Sequence, residues 1–85
     1  MKFKRDIIRN IEGITFNYSY DLSLNELINL YNDLYNCNVT VDDFKEQLKL
    51  ANNSDEDKIG ESIFDYLVYI VDSKIYDNFI NEYHL

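Results

Sequence analysis

Carboxylates are the most numerous groups in this 85-residue chain that could carry out chemistry. Asp and Glu fill 16 positions and Lys and Arg fill 8, which gives a net charge of −8. General acid–base catalysis needs a carboxyl group held in a site that shifts its pKa. The acids here occur mainly in the predicted first turns and polar faces of helices, where water keeps them ionised. We therefore expect no catalytic carboxylate pair.

Two other reactive side chains, Cys37 and His84, occur once each. A Cys–His nucleophile needs both groups at hydrogen-bond distance, and nothing in the sequence ties the two together. Residues 55–60 begin like a calcium-binding EF-hand loop. Positions 5 and 12 of that loop are Ile59 and Tyr66, where an oxygen ligand and a bidentate Glu are needed. We expect no enzyme, no metal and no cofactor.

The charges are unevenly distributed along the chain. Residues 1–9 contain four bases and one acid, whereas residues 10–44 contain no base. Exposed helices usually pair Glu with Lys one turn away, and the predicted helix that follows Ser23 has no such pairs. Direct binding of nucleic acid is disfavoured, because phosphate contacts need Lys and Arg. The pattern favours a basic protein partner. The six acids of that stretch are Glu12, Asp21, Glu26, Asp33, Asp42 and Asp43.

Helix start signals give the firmest structural predictions. Ser23 with Glu26, and Thr40 with Asp43, form capping boxes, each flanked by an apolar pair that suits a hydrophobic staple. A third helix is predicted to begin at Ser54 or Asp55. The sequence therefore predicts where three helices begin.

The remaining segments are ambiguous. Residues 3–11 are predicted as a short helix that ends at Gly13. Residues 14–20 alternate apolar and polar side chains as a half-buried strand does, but no partner strand is evident. An extended segment packed across helices is the alternative for residues 14–20.

The last third of the chain changes its apolar face. Residues 59–70 place their apolar side chains on one side of a helical wheel, and residues 75–83 place theirs on nearly the opposite side. We expect the helix to break at Asp72–Ser73, where both residues are competent N-caps. The alternative is one helix that spans two bodies, such as two protomers.

The predicted fold class is mainly α, a compact bundle of four to five short helices, possibly with one strand-like segment at residues 14–20. Residues 1–85 are expected to form a single small acidic helical domain. The lone cysteine fits a reducing cytoplasm, and no apolar run is long enough to span a membrane.

The predicted function is that of a non-enzymatic inhibitor whose acidic surface binds the basic nucleic-acid-binding site of another protein. Residues with AT-rich codons, which are Asn, Ile, Tyr, Phe, Lys and Met, fill 41 of the 85 positions. In size, acidity and this codon bias, the chain is similar in profile to anti-defence proteins of phages and mobile elements, such as anti-CRISPR and anti-restriction DNA mimics. That resemblance implies a class and rests on no motif. The predicted partner-binding residues are Glu26, Asp33, Asp42, Asp43, Glu61, Asp65, Tyr69 and Asp72.

Two alternative functions remain open. One is an immunity protein or antitoxin, since immunity proteins of the colicin nuclease type have similar length and charge, although their Tyr-Tyr-Pro motif is absent here. The other is a homo-oligomeric accessory domain whose acidity serves only solubility, with the strand-like segment, Ile75 and Phe79 at a dimer interface. The dependence on salt distinguishes a charge-driven complex from such a dimer. A complex between opposite charges weakens as ions screen it, whereas a dimer built on apolar residues should not.

Overall fold

A computed structural model describes residues 2–48 and 55–83 of the chain, so Ser54 and His84 lie outside the described residues. The predicted bundle of four to five short helices is wrong, because the described residues form three helices and a two-stranded antiparallel sheet. In chain order the elements are β1 (Lys2–Ile11), β2 (Ile14–Ser23), α1 (Leu24–Tyr35), α2 (Val41–Gln47) and α3 (Glu56–Tyr83).

The two strands form one hairpin. Ile11 pairs with Ile14 across a two-residue turn, and both turn residues, Glu12 and Gly13, have positive φ angles of 52° and 84°. This combination is the turn that matches the right-handed twist of paired strands. The predicted strand at residues 14–20 is confirmed, and its partner is the segment that was wrongly predicted as a helix.

The wrong prediction for β1 has a physical cause. On the strand, odd-numbered side chains face the body of the protein, and two of those inward positions are Arg5 and Arg9. The outward-facing Ile8 is 73% exposed. With two charged residues facing inward and one apolar residue facing outward, the alternation of apolar and polar side chains that is typical of a strand is not visible in the sequence. A helical period then fits the apolar residues spaced four apart, which are Phe3, Ile7 and Ile11.

All three helix starts use side-chain caps. The hydroxyls of Ser23 and Thr40 accept the backbone N–H of Glu26 and Asp43, and each carboxylate accepts the backbone N–H of its N-cap residue in return. Both predicted capping boxes are confirmed. At α3, one carboxylate oxygen of Asp55 accepts two backbone N–H groups of the first turn, at 3.1 and 3.2 Å.

Helix α3 is continuous through Asp72–Ser73, so the predicted break is wrong. The helix lies at the centre of the fold, with α1 packed along it and the hairpin also resting on it. Two covering elements explain why apolar residues occur on more than one side of the helix. The fully buried side chains of the core are Leu27, Ile63, Phe64, Leu67, Val68 and Val71.

Strand β1 runs along α3 in the same direction. The ring of Phe3 lies 3.3 Å from the position that a Cβ would take at Gly60, and six residues later Arg9 contacts Asp72. Six strand residues span about 20 Å, and the twelve helical residues from Gly60 to Asp72 span about 18 Å. The matching lengths keep the strand and the helix in contact at both points.

Candidate functional site

Four of the predicted partner-binding residues lie exposed on α1 and α2: Glu26, Asp33, Asp42 and Asp43. We call these four residues the acidic face. Within residues 2–48 and 55–83, no Lys or Arg forms an ion pair with Glu26, Asp33 or Asp43. Lys45 lies 3.9 Å from Asp42, whose side chain is 92% exposed. The negative charge of this face therefore stands largely uncompensated.

A polar groove of about 560 Å³ runs between α1 and α2. The side chain of Asn32 on α1 binds the segment that precedes α2, because its Nδ2 donates to the carbonyl of Val39 and its Oδ1 accepts the Val39 N–H, both at 3.0 Å. Amides and hydroxyls along the groove can bind donors as well as acceptors. Its polar lining residues are Asn25, Asn29, Asn32, Thr40 and Asp42.

Two carboxylates of the acidic face also belong to helix caps. Glu26 accepts the backbone N–H of Ser23 at 3.0 Å, and Asp43 accepts the backbone N–H of Thr40 at 2.8 Å. The hydrogen bond from the Ser23 backbone lowers the pKa of the Glu26 carboxyl. The cap therefore keeps Glu26 negatively charged to lower pH.

Three further predicted residues, Glu61, Asp65 and Tyr69, lie on α3. Asp65 forms an ion pair with Arg5 of β1, so this part of the helix is partly neutralised by the hairpin. Tyr69 is 55% exposed and lines a shallow groove together with residues 6–9 of β1. The predicted set is thus divided between the acidic face and a strip of α3 beside β1.

Asp72, the eighth predicted residue, is only 3% exposed. A partner cannot contact it on an open surface, so its place in an exposed binding set is corrected. The Asp72 carboxylate accepts hydrogen bonds from Arg9 Nε at 2.8 Å, from the Tyr18 hydroxyl at 2.5 Å and from the Tyr20 hydroxyl at 2.9 Å. Arg9 Nη2 lies 2.7 Å from the same carboxylate. We call these four residues the Asp72 cluster.

The Asp72 cluster joins α3 to both strands of the hairpin. Burial raises the pKa of Tyr20, and the nearby Asp72 carboxylate raises it further. The same two causes raise the pKa of Tyr18, so both hydroxyls stay protonated and donate. Burial alone would lower the pKa of Arg9, but its interactions with Asp72 and Tyr18 together outweigh burial and raise it. The cluster is therefore a neutral ion pair with two added donors.

An apolar cleft of about 410 Å³ opens beyond the Asp72 cluster, between the tip of the hairpin and the C-terminal half of α3. The guanidinium of Arg9 lies over the ring of Tyr76, 4.4 Å from the ring centre, and closes one end of the cleft. Charge patterning gave no sign of this feature, although the reversed apolar face of α3 was the signal for it. The apolar walls come from Ile11, Phe16, Ile75, Tyr76 and Phe79.

The described part of the chain has neither a metal-binding cluster nor a membrane-spanning helix. In residues 2–48 and 55–83, no group of three or more His, Cys, Asp or Glu side chains is placed to hold a metal ion. No helix of the same residues is both long and apolar enough to cross a membrane. Cys37 is partly buried, with its sulfur 3.4 Å from Asn32 Oδ1.

No protein-family model, curated protein or solved structure matches this chain. Functional inference therefore depends on the chain's own residues and their geometry.

Proposed function

We propose that the protein is a non-enzymatic inhibitor that acts in the cytoplasm by binding a basic, nucleic-acid-acting protein through the acidic face. The observation that carries the proposal is the exposure of Glu26, Asp33, Asp42 and Asp43, of which only Asp42 has a described base, Lys45, within 4.0 Å. A basic cleft that holds phosphates would be attracted to the same array of negative charge.

The amide-rich groove beside the acidic face supports this partner class. A binding site for nucleic acid presents backbone and side-chain donors to phosphate oxygens as well as cationic groups. Carboxylate and amide oxygens on α1 and α2 can accept hydrogen bonds from such donors. Charge attraction would speed the encounter, and these hydrogen bonds would fix the orientation of the complex.

The test is capture of partners from a bacterial lysate on the immobilised protein, followed by elution with rising salt and identification by mass spectrometry. The triple variant E26Q/D33N/D42N removes three charges from the acidic face, and Gln at position 26 still suits a capping box. The control variant E12Q/D77N/E82Q removes three charges elsewhere. We expect the wild type and the control to retain a nucleic-acid-acting protein that the first variant loses.

A second measurement tests inhibition directly. The captured protein is assayed for nucleic-acid binding with and without the wild-type chain, and the chain is expected to compete with nucleic acid. Equal loss of capture in both triple variants, or capture that salt does not weaken, would contradict a binding mode based on the acidic face.

A further inference from the structure

We propose that two copies of this chain associate through the free edge of β2, so that two hairpins form one four-stranded antiparallel sheet. The inference does not depend on the acidic face or on its partner. Three observations carry it: the exposed backbone of β2, the charges on the two edges of the sheet, and the apolar surface beside β2.

The backbone of β2 offers unpaired hydrogen-bonding groups. Ile11 and Ile14 close the two-residue turn, and from there the alternation of an antiparallel ladder directs the N–H and C=O groups of alternate residues away from β1. No third strand pairs with the sheet in the described parts of the chain. The residues of this β2 edge include Thr15, Asn17, Ser19 and Asp21, and all four are exposed.

The two edges of the hairpin differ in charge. The corresponding outward positions of β1 include Lys4 and Asp6, which are charges of the kind that protect an edge strand from pairing. Residues 14–20 of β2 carry no charge and no proline, and the one charge of the strand, Asp21, lies towards the end far from the turn. Because each chain has a net charge of −8, copies repel one another least where they meet along the uncharged stretch from Thr15 to Ser19.

A two-fold axis through Asn17 gives β2 a self-complementary register. Asn17 then lies opposite Asn17 of the second copy, and Thr15 lies opposite Ser19. The same register places Phe16 opposite Tyr18 on the apolar side of the sheet, where cross-strand aromatic pairs are stabilising. A two-fold contact of this kind is the commonest arrangement among soluble oligomers.

The apolar surface beside this edge is large enough for a dimer. Five large apolar side chains of the hairpin and of α3 are each between 36% and 61% exposed. With about 200 Å² for a fully exposed side chain of this size, they leave about 450 Å² in water. Apolar atoms form a little over half of a typical interface, so the patch suits an interface of about 800 Å² per partner, which is the standard size. The five residues are Ile14, Phe16, Tyr18, Ile75 and Phe79.

The continuity of α3 fits the same arrangement. Its C-terminal half carries Ile75 and Phe79 on the walls of the apolar cleft, on a different side from the apolar stripe of the N-terminal half. In the four-stranded sheet, the apolar sides of both hairpins face the same way. The cleft of each copy then opens beside the aromatic residues of the other.

The test is sedimentation equilibrium of the full chain over a range of concentrations, at low and at high salt. The variant N17P removes a backbone N–H that points away from β1, so the ladder inside the hairpin stays complete. The variant N17K places two like charges opposite each other at the two-fold axis. The control is I8K, because Ile8 pairs with Asn17 across the hairpin and the same charge is then added to the opposite edge.

We expect the wild type and I8K to reach the mass of two chains at both salt concentrations. The variants N17P and N17K should dimerise at least tenfold more weakly, with circular dichroism spectra like that of the wild type. If the proline in N17P unfolds the hairpin, the dimerisation of N17K alone tests the proposed interface. A wild type that stays monomeric at every concentration, or a dimer that both position-17 variants leave unchanged, would overturn the proposal.

Discussion

The acidic face and the Asp72 cluster use the same side chain in opposite ways. On α1, the carboxylate of Asp33 is exposed and has no ion pair within the described residues. On α3, the carboxylate of Asp72 is buried and accepts hydrogen bonds from one guanidinium and two hydroxyls. Both aspartates lie in helices of the same acidic chain, and both were predicted to contact a partner.

The difference lies in what covers each helix. Nothing among the described residues covers the outer side of α1 at Asp33, so water solvates its charge at little cost. The hairpin covers α3 at Asp72, and a buried carboxylate is tolerated only when charged and polar groups satisfy it. Besides capping helix starts, acidic residues in this protein therefore supply exposed charge on α1 and α2 and attach the hairpin to α3.

The strongest test of this comparison is removal of each carboxylate in turn. The variant D72A should lower the free energy of unfolding by about 3 kcal/mol, because it leaves the charge of Arg9 without its buried partner. The variant D33A should change it by less than about 0.5 kcal/mol, as exposed substitutions usually do. Urea denaturation followed by circular dichroism measures both values.

Alanine favours a helix more than aspartate does. Helix propensity alone would therefore make D72A more stable, so a loss of stability would have to come from the broken contacts of the cluster. If D72A proves as stable as D33A, the cluster does not hold the hairpin to α3, and the contrast between the two regions fails.

A smaller effect on stability is expected when a tyrosine hydroxyl of the Asp72 cluster is removed. The variant Y20F removes one hydroxyl that donates to Asp72 and keeps the ring, so unfolding should become easier by about 1.5 kcal/mol, a typical value for a hydrogen bond to a charged group. The matched variant is Y69F, since Tyr69 is 55% exposed and its hydroxyl can bond to water in its place. Thermal unfolding at neutral pH compares the two, and equal midpoints would mean that the hydroxyl of Tyr20 adds no stability.

Local signals predicted only part of this fold. The capping boxes at Ser23 and Thr40 were readable because the side chain and the backbone group that it binds are three residues apart. The strand at residues 14–20 was readable from its period of two. Its partner strand, β1, could not be predicted in this way, because two of its inward positions are Arg5 and Arg9. These charged residues are tolerated there because they form ion pairs with Asp65 and Asp72.

The candidate site shows the same limit. Exposure of Glu26 and Asp33 could be expected from their positions on the polar side of an amphipathic helix. The burial of Asp72 depends on residues 52 to 63 positions away in the chain. One signal was available: two arginines four residues apart on a strand span about 13 Å, and Asp65 and Asp72 span about 10 Å on a helix. If residues 3–11 formed the predicted helix, the two arginines would be only about 6 Å apart. As a strand, they are spaced closely enough to the two aspartates for both pairs to form.

The smallest expected effect concerns the pH dependence of the acidic face itself. The Ser23 backbone N–H lowers the pKa of Glu26 in the folded chain, whereas the unfolded chain has the ordinary value of about 4.3. A group with a lowered folded pKa contributes stability above its unfolded pKa and loses it as the pH falls through the folded value. The variant E26Q keeps a capping side chain that does not titrate, so the wild type should lose more thermal stability than E26Q between about pH 5 and pH 3. The variant D33N, which removes one charge from the same helix without touching the cap, corrects for net charge. Parallel pH profiles for wild type and E26Q would show that the Glu26 cap does not depend on its charge, and would leave the exposed carboxylates of the acidic face without any structural role in α1.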